Sequence, residues 1–174
     1  MNVDDVYLEI YGRIPPLVRA AVDGLDHAGL VKSPVPGANP VGWLVWHLTR
    51  VQDHHVSELL GDDQLWIGAG WAARFGRDAA PNDLGFGYTA EQVAAFDPVG
   101  AALLVEYHEA VDARTRDYLG TLTDADLDRT VDRRWDPPVT LGVRLVSVAD
   151  DSLQHVGQAL YARGIVDTGW RFPV

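Results

Sequence analysis

A carboxylate and an imidazole, Asp151 and His155, stand four residues apart in SVADDSLQHVGQALYARG. At about 100° per residue such a pair shares one face of a helix and can converge on a single cation. The same spacing also makes an ordinary helix ion pair, so the two residues alone admit both readings. A second source of ligands is PVGWLVWHLTRVQDHHVSELLG, which carries His47, His54 and His55. His47 is flanked by Trp43, Leu44, Val45, Trp46 and Leu48, so it is either a satisfied core residue or a buried ligand. His54 lies two turns further on, roughly 10 Å along the axis, too far to share an ion easily with His47. His55 turns away from that face and reads as a surface or partner residue. His47 from one helix, with Asp151 and His155 from another, would supply three N/O ligands. Three protein ligands and an open position are the layout of a catalytic zinc site, which other divalent ions can also use.

The elements that must position these groups are helical. A wheel centred on Asp151 puts Arg144, Val148, His155, Gln158 and Ala162 on one stripe. Leu145, Ala149, Leu153, Val156 and Leu160 form an apolar arc beside it, with Asp150, Gln154 and Tyr161 opposite. The stripe therefore sits where core meets solvent. This last helix is expected from about Thr140 to Ala162, stopped by Gly164. The helix bearing His47 is expected to start with Asn39 as N-cap and Pro40 at the first helical position, and to stop at Gly61. Residues from Val3 to about Leu30 read as helical in pieces, with Pro15 and Pro16 suited to a first turn. Residues 32–40 form a loop. The glycine-rich stretch from Asp62 to Tyr88 reads as a long irregular connection with one helical turn at most; such ordered loops are often functional. Thr89 and Gln92 match a capping box, VGAALLVEYHEAVDARTRDYLGTL reads as a long amphipathic helix, and Thr123 caps a short turn through Leu127. Residues 128–139 are not helical and suit extended chain. Four main helices with long connections predict an all-α four-helix bundle.

Composition narrows the function classes. A chain of 174 residues, 47% of them hydrophobic, fits one domain over residues 1–174 with a real core. No apolar run is long enough to span a bilayer. The net charge of −11 disfavours nucleic acid and anionic membrane surfaces as partners. The opening MNVDDVYLEIYG lacks the basic region of a secretory signal, which makes the cytoplasm the expected compartment. Cysteine is absent, so any thiol nucleophile must come from a cosubstrate.

The segments NPVGWLVWHLTRVQDHH, GFGYT and WDPPVTLGVRLVSVADDSLQHVGQALYARG resemble the DinB-like superfamily, and within it the actinobacterial DUF664-type branch. The resemblance runs from about Asn39 to Gly164, with WHL and QHxGQxxYxRG its most specific parts. It implies a four-helix bundle of DinB-like type that often binds a divalent metal through one ligand on the second helix and two on the last. The latter are spaced His-xxx-His or Glu-xxx-His. His47 matches the first ligand and His155 the last. The middle position holds Asp151, one methylene shorter than glutamate, with Gln158 or a water as the alternative. Zinc is the first expectation for the metal, and nickel or another divalent ion the alternative. A homodimer through a helical face is also implied.

Relatives implied by the same resemblance include mycothiol-dependent maleylpyruvate isomerases and mycothiol or bacillithiol S-transferases. The expected activity is thus a metal-dependent transferase in which the thiolate of a mycothiol-type cosubstrate attacks an electrophilic small-molecule substrate. Arg144 would orient an anionic substrate group or the Asp151 carboxylate, or be a plain surface arginine. His54 would carry a proton or support a ligand from behind, or be a solvated polar residue. Arg163 would pair with an acid at the end of the last helix, where a cation also suits the dipole. Trp66 and Trp71 could wall a pocket, most other tryptophans being core. Two rival readings stand beside the enzyme: a non-enzymatic metal- or small-molecule-binding protein, and a structural homodimer whose site has decayed. Metal content separates the last from the others; thiol-dependent activity separates the enzyme from the binder.

Overall fold

The computed structural model describes residues 2–172. The chain opens with α1 (Val3–Gly12) and α2 (Ile14–Val22), nearly continuous helices divided at Arg13. Pro15 and Pro16 lack the N–H groups that would bond back to Tyr11 and Gly12, so one helix must end and another begin there. A short α3 (His27–Val31) follows, capped by the Asp26 side chain, which accepts from the Gly29 N–H at 2.8 Å. The three pieces match the expected broken helical segment.

α4 (Val41–Leu60) is the central helix. Every residue from Val41 to Asp53 is buried, as suits a helix covered on all sides. Its N-cap is Pro40, one residue after the expected Asn39, because Pro40 keeps an extended ψ of 155°. At the other end Gly61 is the stop, with φ +70° and its N–H on the Glu58 carbonyl. The long connection holds two single turns, α5 (Leu65–Gly68) and α6 (Trp71–Arg74), one more than expected. Next come α7 (Ala90–Ala94), with the Thr89/Gln92 capping box in place, and α8 (Ala101–Leu119). A 3₁₀ turn at Asp124–Asp126, boxed by Thr123, leads to β1 (Thr130–Asp132). It pairs antiparallel with β2 (Val139–Thr140). Residues 128–139, between the last two long helices, are non-helical, as expected; their pairing into a two-stranded ribbon is a feature the sequence reading did not predict.

α9 (Leu141–Val166) closes the chain, capped by Thr140. It outruns the expected stop at Gly164 by two residues. The Trp170 ring lies over this glycine, where a Cβ would meet it only at ordinary contact distance, 4.0 Å. Arg163, 4% exposed, lies below the same ring at 5.2 Å. It approaches Asp167 at 3.7 Å and donates to the Ala20 carbonyl at 3.3 Å. That is the structural role expected of it.

The long helices form an all-α bundle in which α2 and α4 lie across a diagonal, each packed against both α8 and α9. Tyr11, Ile14, Trp46, Leu104, Tyr107, Leu141 and Leu145 fill the interior. Trp66 and Trp71 belong to this core rather than to a pocket wall: Trp66 is fully buried, and Trp71 packs on Tyr107 at 5.2 Å. No helix among the described residues is long and apolar enough to cross a membrane.

Candidate metal centre

The α4–α9 seam brings His47, Asp151 and His155 together, one ligand atom of each lying within 4.8 Å of the others. The two imidazoles meet edge-on with centroids 4.6 Å apart. Each is already held by its Nδ1. His47 Nδ1–H donates to the Leu84 carbonyl, and His155 Nδ1–H donates to the carbonyl of Asp151 at 2.8 Å. A carbonyl can only accept, so both rings carry the Nδ1–H tautomer, and the lone pair of each is on Nε2. Histidine ligands are commonly oriented by such a bond from the other ring nitrogen.

The carboxylate supplies the test of fit. Asp151 Oδ2 is buried with no hydrogen-bond partner. A buried charged oxygen left unpaired is costly, and a cation beside it removes the cost. Burial is the main cause that raises the Asp151 pKa above its ordinary value, opposed by His155 and His47. Burial likewise pulls His47 below its usual value, against the Leu84 hydrogen bond. A neutral imidazole is the form that binds a metal. Two Nε2 lone pairs and one unsatisfied carboxylate oxygen therefore fit a divalent ion, with room for a further ligand. Gln158 is exposed and lines a separate recess with Pro34 and Tyr161.

The support of His47 comes from its own helix and from a loop distant in sequence. Its ring stacks on Trp43, with centroids 4.8 Å apart and planes at 10°. Gly85, at φ +83°, presses its backbone against this stack. A Cβ there would lie 2.9 Å from both Trp43 and Trp46 and 3.2 Å from His47 Nδ1. Only glycine allows the Leu84 carbonyl so close to the imidazole. The loop is pinned on both sides. Arg50, fully buried, donates to the carbonyls of Pro81 and Asp83 at 3.3 and 3.2 Å. Arg77 donates to Asp83 Oδ2 at 2.8 Å and to the Tyr88 hydroxyl at 2.7 Å, while Tyr88 donates to Asp83. Asp53 accepts from the N–H groups of Leu65 and Trp66 at 2.9 and 2.8 Å and from the Tyr107 hydroxyl at 2.7 Å.

The triad opens into a cleft of about 460 Å³ whose lining includes His47, Asp151, His55 and Phe86. His55, expected at a surface or a partner, is half-buried and contributes to this wall. Burial, then the nearby Arg144 cation, lowers its pKa to about 4, so it is neutral near pH 7. His54 is not brought to the triad. Its Nδ1 accepts from Gln64 Nε2 at 2.9 Å, and it groups with His55 and Glu58. Arg144 does not reach Asp151 either. One terminal nitrogen donates to Asp132 at 2.8 Å, and the other lies against the His55 ring at 3.3 Å. Sequence reasoning missed the Leu84 carbonyl, Gly85, Arg50 and Asp53. The GFGYT segment was the one available signal.

Residues 12–159 match the DinB superfamily. The chain belongs to the DinB superfamily. Among solved structures, this DinB chain is similar to one described as the crystal structure of the conserved protein of locus from Enterococcus faecalis. The TM-score is 0.87 at 32% identity, covering 95% of this chain and 98% of that one. No curated protein matches. As a DinB bundle the chain has a fold often used for metal binding, and its candidate His/Asp site lies between two of the bundle's long helices.

Proposed function

We propose that this DinB protein is a divalent-metal-dependent S-transferase that joins a low-molecular-weight thiol of the mycothiol type to an electrophilic small molecule, with zinc as the metal. The observation that carries the reading is the convergence of one ligand atom each from His47, Asp151 and His155, with a carboxylate oxygen of Asp151 left unpartnered, at the edge of a cleft. His47, Asp151 and His155 would hold the ion. A divalent ion bound there lowers the pKa of a thiol beside it and steadies the thiolate. The chain contains no cysteine, which supports a cosubstrate as the source of sulfur. Trp43, Gly85 and the Leu84 carbonyl keep the His47 ring in position. In the transfer, sulfur bonds to the electrophilic carbon, the leaving group departs with its electron pair, and the thiol proton passes to solvent. A cytoplasmic setting and a homodimer are part of the proposal, and exposed Val143 and Val146 of α9 offer apolar surface for the latter.

Elemental analysis of purified, tag-free protein tests the metal. About one equivalent of zinc or another divalent ion, lost in His47→Ala and in His155→Ala, is the expected result. A native protein that takes up no ion from zinc, nickel, cobalt or manganese would end the metalloenzyme reading. With metal present, consumption of mycothiol by an electrophile separates an enzyme from a binding protein.

A further inference from the structure

The cleft beside the triad is lined by Val51 and Val148 from α4 and α9, by Leu84 and Phe86 from the pinned loop, and by the neutral polar side chains of Asn82 and Ser147. No arginine or lysine is among these described lining residues. Two positive charges stand behind the walls and both are committed: Arg144 to Asp132 at 2.8 Å, and Arg50 to the Pro81 and Asp83 carbonyls and to Asp53. Asp132 is itself shared with Arg134, also at 2.8 Å. Charge at the triad closes without a further anion: a divalent ion, the Asp151 carboxylate and one thiolate sum to zero. An organic anion entering the cleft would therefore lose its water and gain no counter-charge. An apolar body would gain by covering apolar walls.

Phe86 stands out on those walls. It is 91% exposed although it borders the cleft. It sits between two glycines of left-handed backbone, Gly85 at φ +83° and Gly87 at φ +74°. Gly85 is wedged against Trp43 and Trp46, while a Cβ at Gly87 would meet nothing within 4 Å. Phe86 thus stands exposed at the rim, its backbone anchored at Gly85 and bordered by open space at Gly87.

We infer that the acceptor substrate is an uncharged molecule with an apolar, ring-sized body, of the class of aralkyl halides or epoxides, and that Phe86 is the residue that selects it by covering that body. The inference rests on the metal-dependent reading above and narrows its substrate class. It replaces the expectation that Arg144 orients an anionic group. With a halide, the sulfur–carbon bond forms as the carbon–halogen bond breaks, and halide and proton leave to solvent. With an epoxide, the ring carbon–oxygen bond breaks and the oxygen takes up the proton.

Cobalt-loaded protein tests the inference, because sulfur-to-cobalt charge-transfer absorption reports thiol binding directly. Phenylmethanethiol and 4-(sulfanylmethyl)benzoate carry the same sulfur anchor and differ in the charge of the body in the cleft. Phenylmethanethiol is expected to bind at least about tenfold tighter, because only the benzoate must shed the water around a carboxylate to enter. Phe86→Ala is expected to weaken phenylmethanethiol binding by about tenfold, as loss of an aromatic cover over an apolar ring would, while leaving 2-mercaptoethanol within twofold. Equal or tighter binding of the carboxylated thiol would overturn the substrate class. An unaltered phenylmethanethiol affinity in Phe86→Ala would overturn the role of Phe86. If the protein takes up no cobalt, the metal-dependent reading fails separately. Quenching of Trp43, which stacks on His47, by benzyl alcohol against 4-(hydroxymethyl)benzoate then decides the cleft's preference alone: preference for the alcohol upholds the apolar selection, and none overturns it.

Discussion

Asp151 carries a conflict between stability and function. Its Oδ2 is buried without a partner, so the metal-free protein bears an uncompensated carboxylate. Asp151→Asn keeps the shape and removes the charge. The metal-free variant is expected to melt at the same temperature as the parent or higher, while its affinity for zinc or cobalt falls at least about tenfold, as for a lost ligand or ligand support. Calorimetry of metal-free samples and a competition titration check the two halves. Gly85 presents the opposite case. Gly85→Ala forces a Cβ to within 2.9 Å of two indole rings at a left-handed φ, so the loop must withdraw and the Leu84 carbonyl must leave His47. The expected cost is about 1–3 kcal/mol of unfolding free energy together with weakened metal binding. Urea denaturation and the same titration measure both. An alanine variant of unchanged stability would show that the loop does not press on the rings. His47 and His155 were legible as candidate ligands because the periodicity of a helix defines faces. The hydrogen bonds that fix their tautomers were not, because a backbone carbonyl carries no mark in the sequence.

The helices explain where the ligands come from, but the connection after α4 explains why they stay. Arg50 and Asp53 are fully buried and 3.5 Å apart. Between them they satisfy carbonyls of the 80–83 segment and the N–H groups that open α5. Removing one partner leaves the other charge buried and unpaired. Asp53→Ala is expected to destabilise by about 3–5 kcal/mol. Because Arg50 also holds the loop that bears Leu84, the folded fraction should bind metal more weakly. A double change to apolar residues of similar size at 50 and 53 should recover part of the stability but not the loop. Chemical denaturation of the single and double variants tests this coupling. At this level the long helices, the Gly61 stop and the Thr89/Gln92 box could be read from local pattern. The expected stop at Gly164 failed: α9 runs on to Val166, and the Asp167 N–H still bonds back to the Arg163 carbonyl. His55 reads as a surface residue because its own helix turns it away from His47; α9 and the loop then build a wall around it.

In the molecule as a whole, one more histidine links packing to pH. His108 on α8 is buried, shares one hydrogen bond with Thr49 at 3.2 Å, and has no partner at Nε2. Burial, reinforced by Arg19, lowers its pKa to about 3. The unfolded chain would bind a proton there near pH 6.5 while the folded protein does not. Keeping it neutral therefore carries no protonation cost above about pH 6.5, and stability falls as pH drops from there toward 3. The loss attributable to this site reaches on the order of 4 kcal/mol. Denaturation curves at pH 7, 5.5 and 4.5 should show a decline that His108→Gln reduces; a decline of equal size in the variant would assign it to other groups. Metal acts in the opposite direction. Since the ligands converge only in the folded bundle, a metal at one hundred times its Kd should add about 2.7 kcal/mol, seen as a raised Tm that a chelator reverses.

Helix periodicity, capping residues and proline positions are local properties, set by interactions within a few residues of chain. They made the bundle and the Asp151–His155 pair readable, and with the family resemblance they made His47 the third member. Absence of cysteine and an acidic composition likewise needed no structure to narrow the chemistry. Other features depend on segments far apart in sequence meeting through packing: the Leu84 carbonyl on His47, Gly85 against two indoles, Arg144 taken by Asp132, and a cleft bordered by Phe86 whose described lining holds no arginine or lysine. Their energies come from burial and from pairing desolvated charges across the bundle. A one-dimensional pattern offers several partners for such groups, and only the folded chain selects among them.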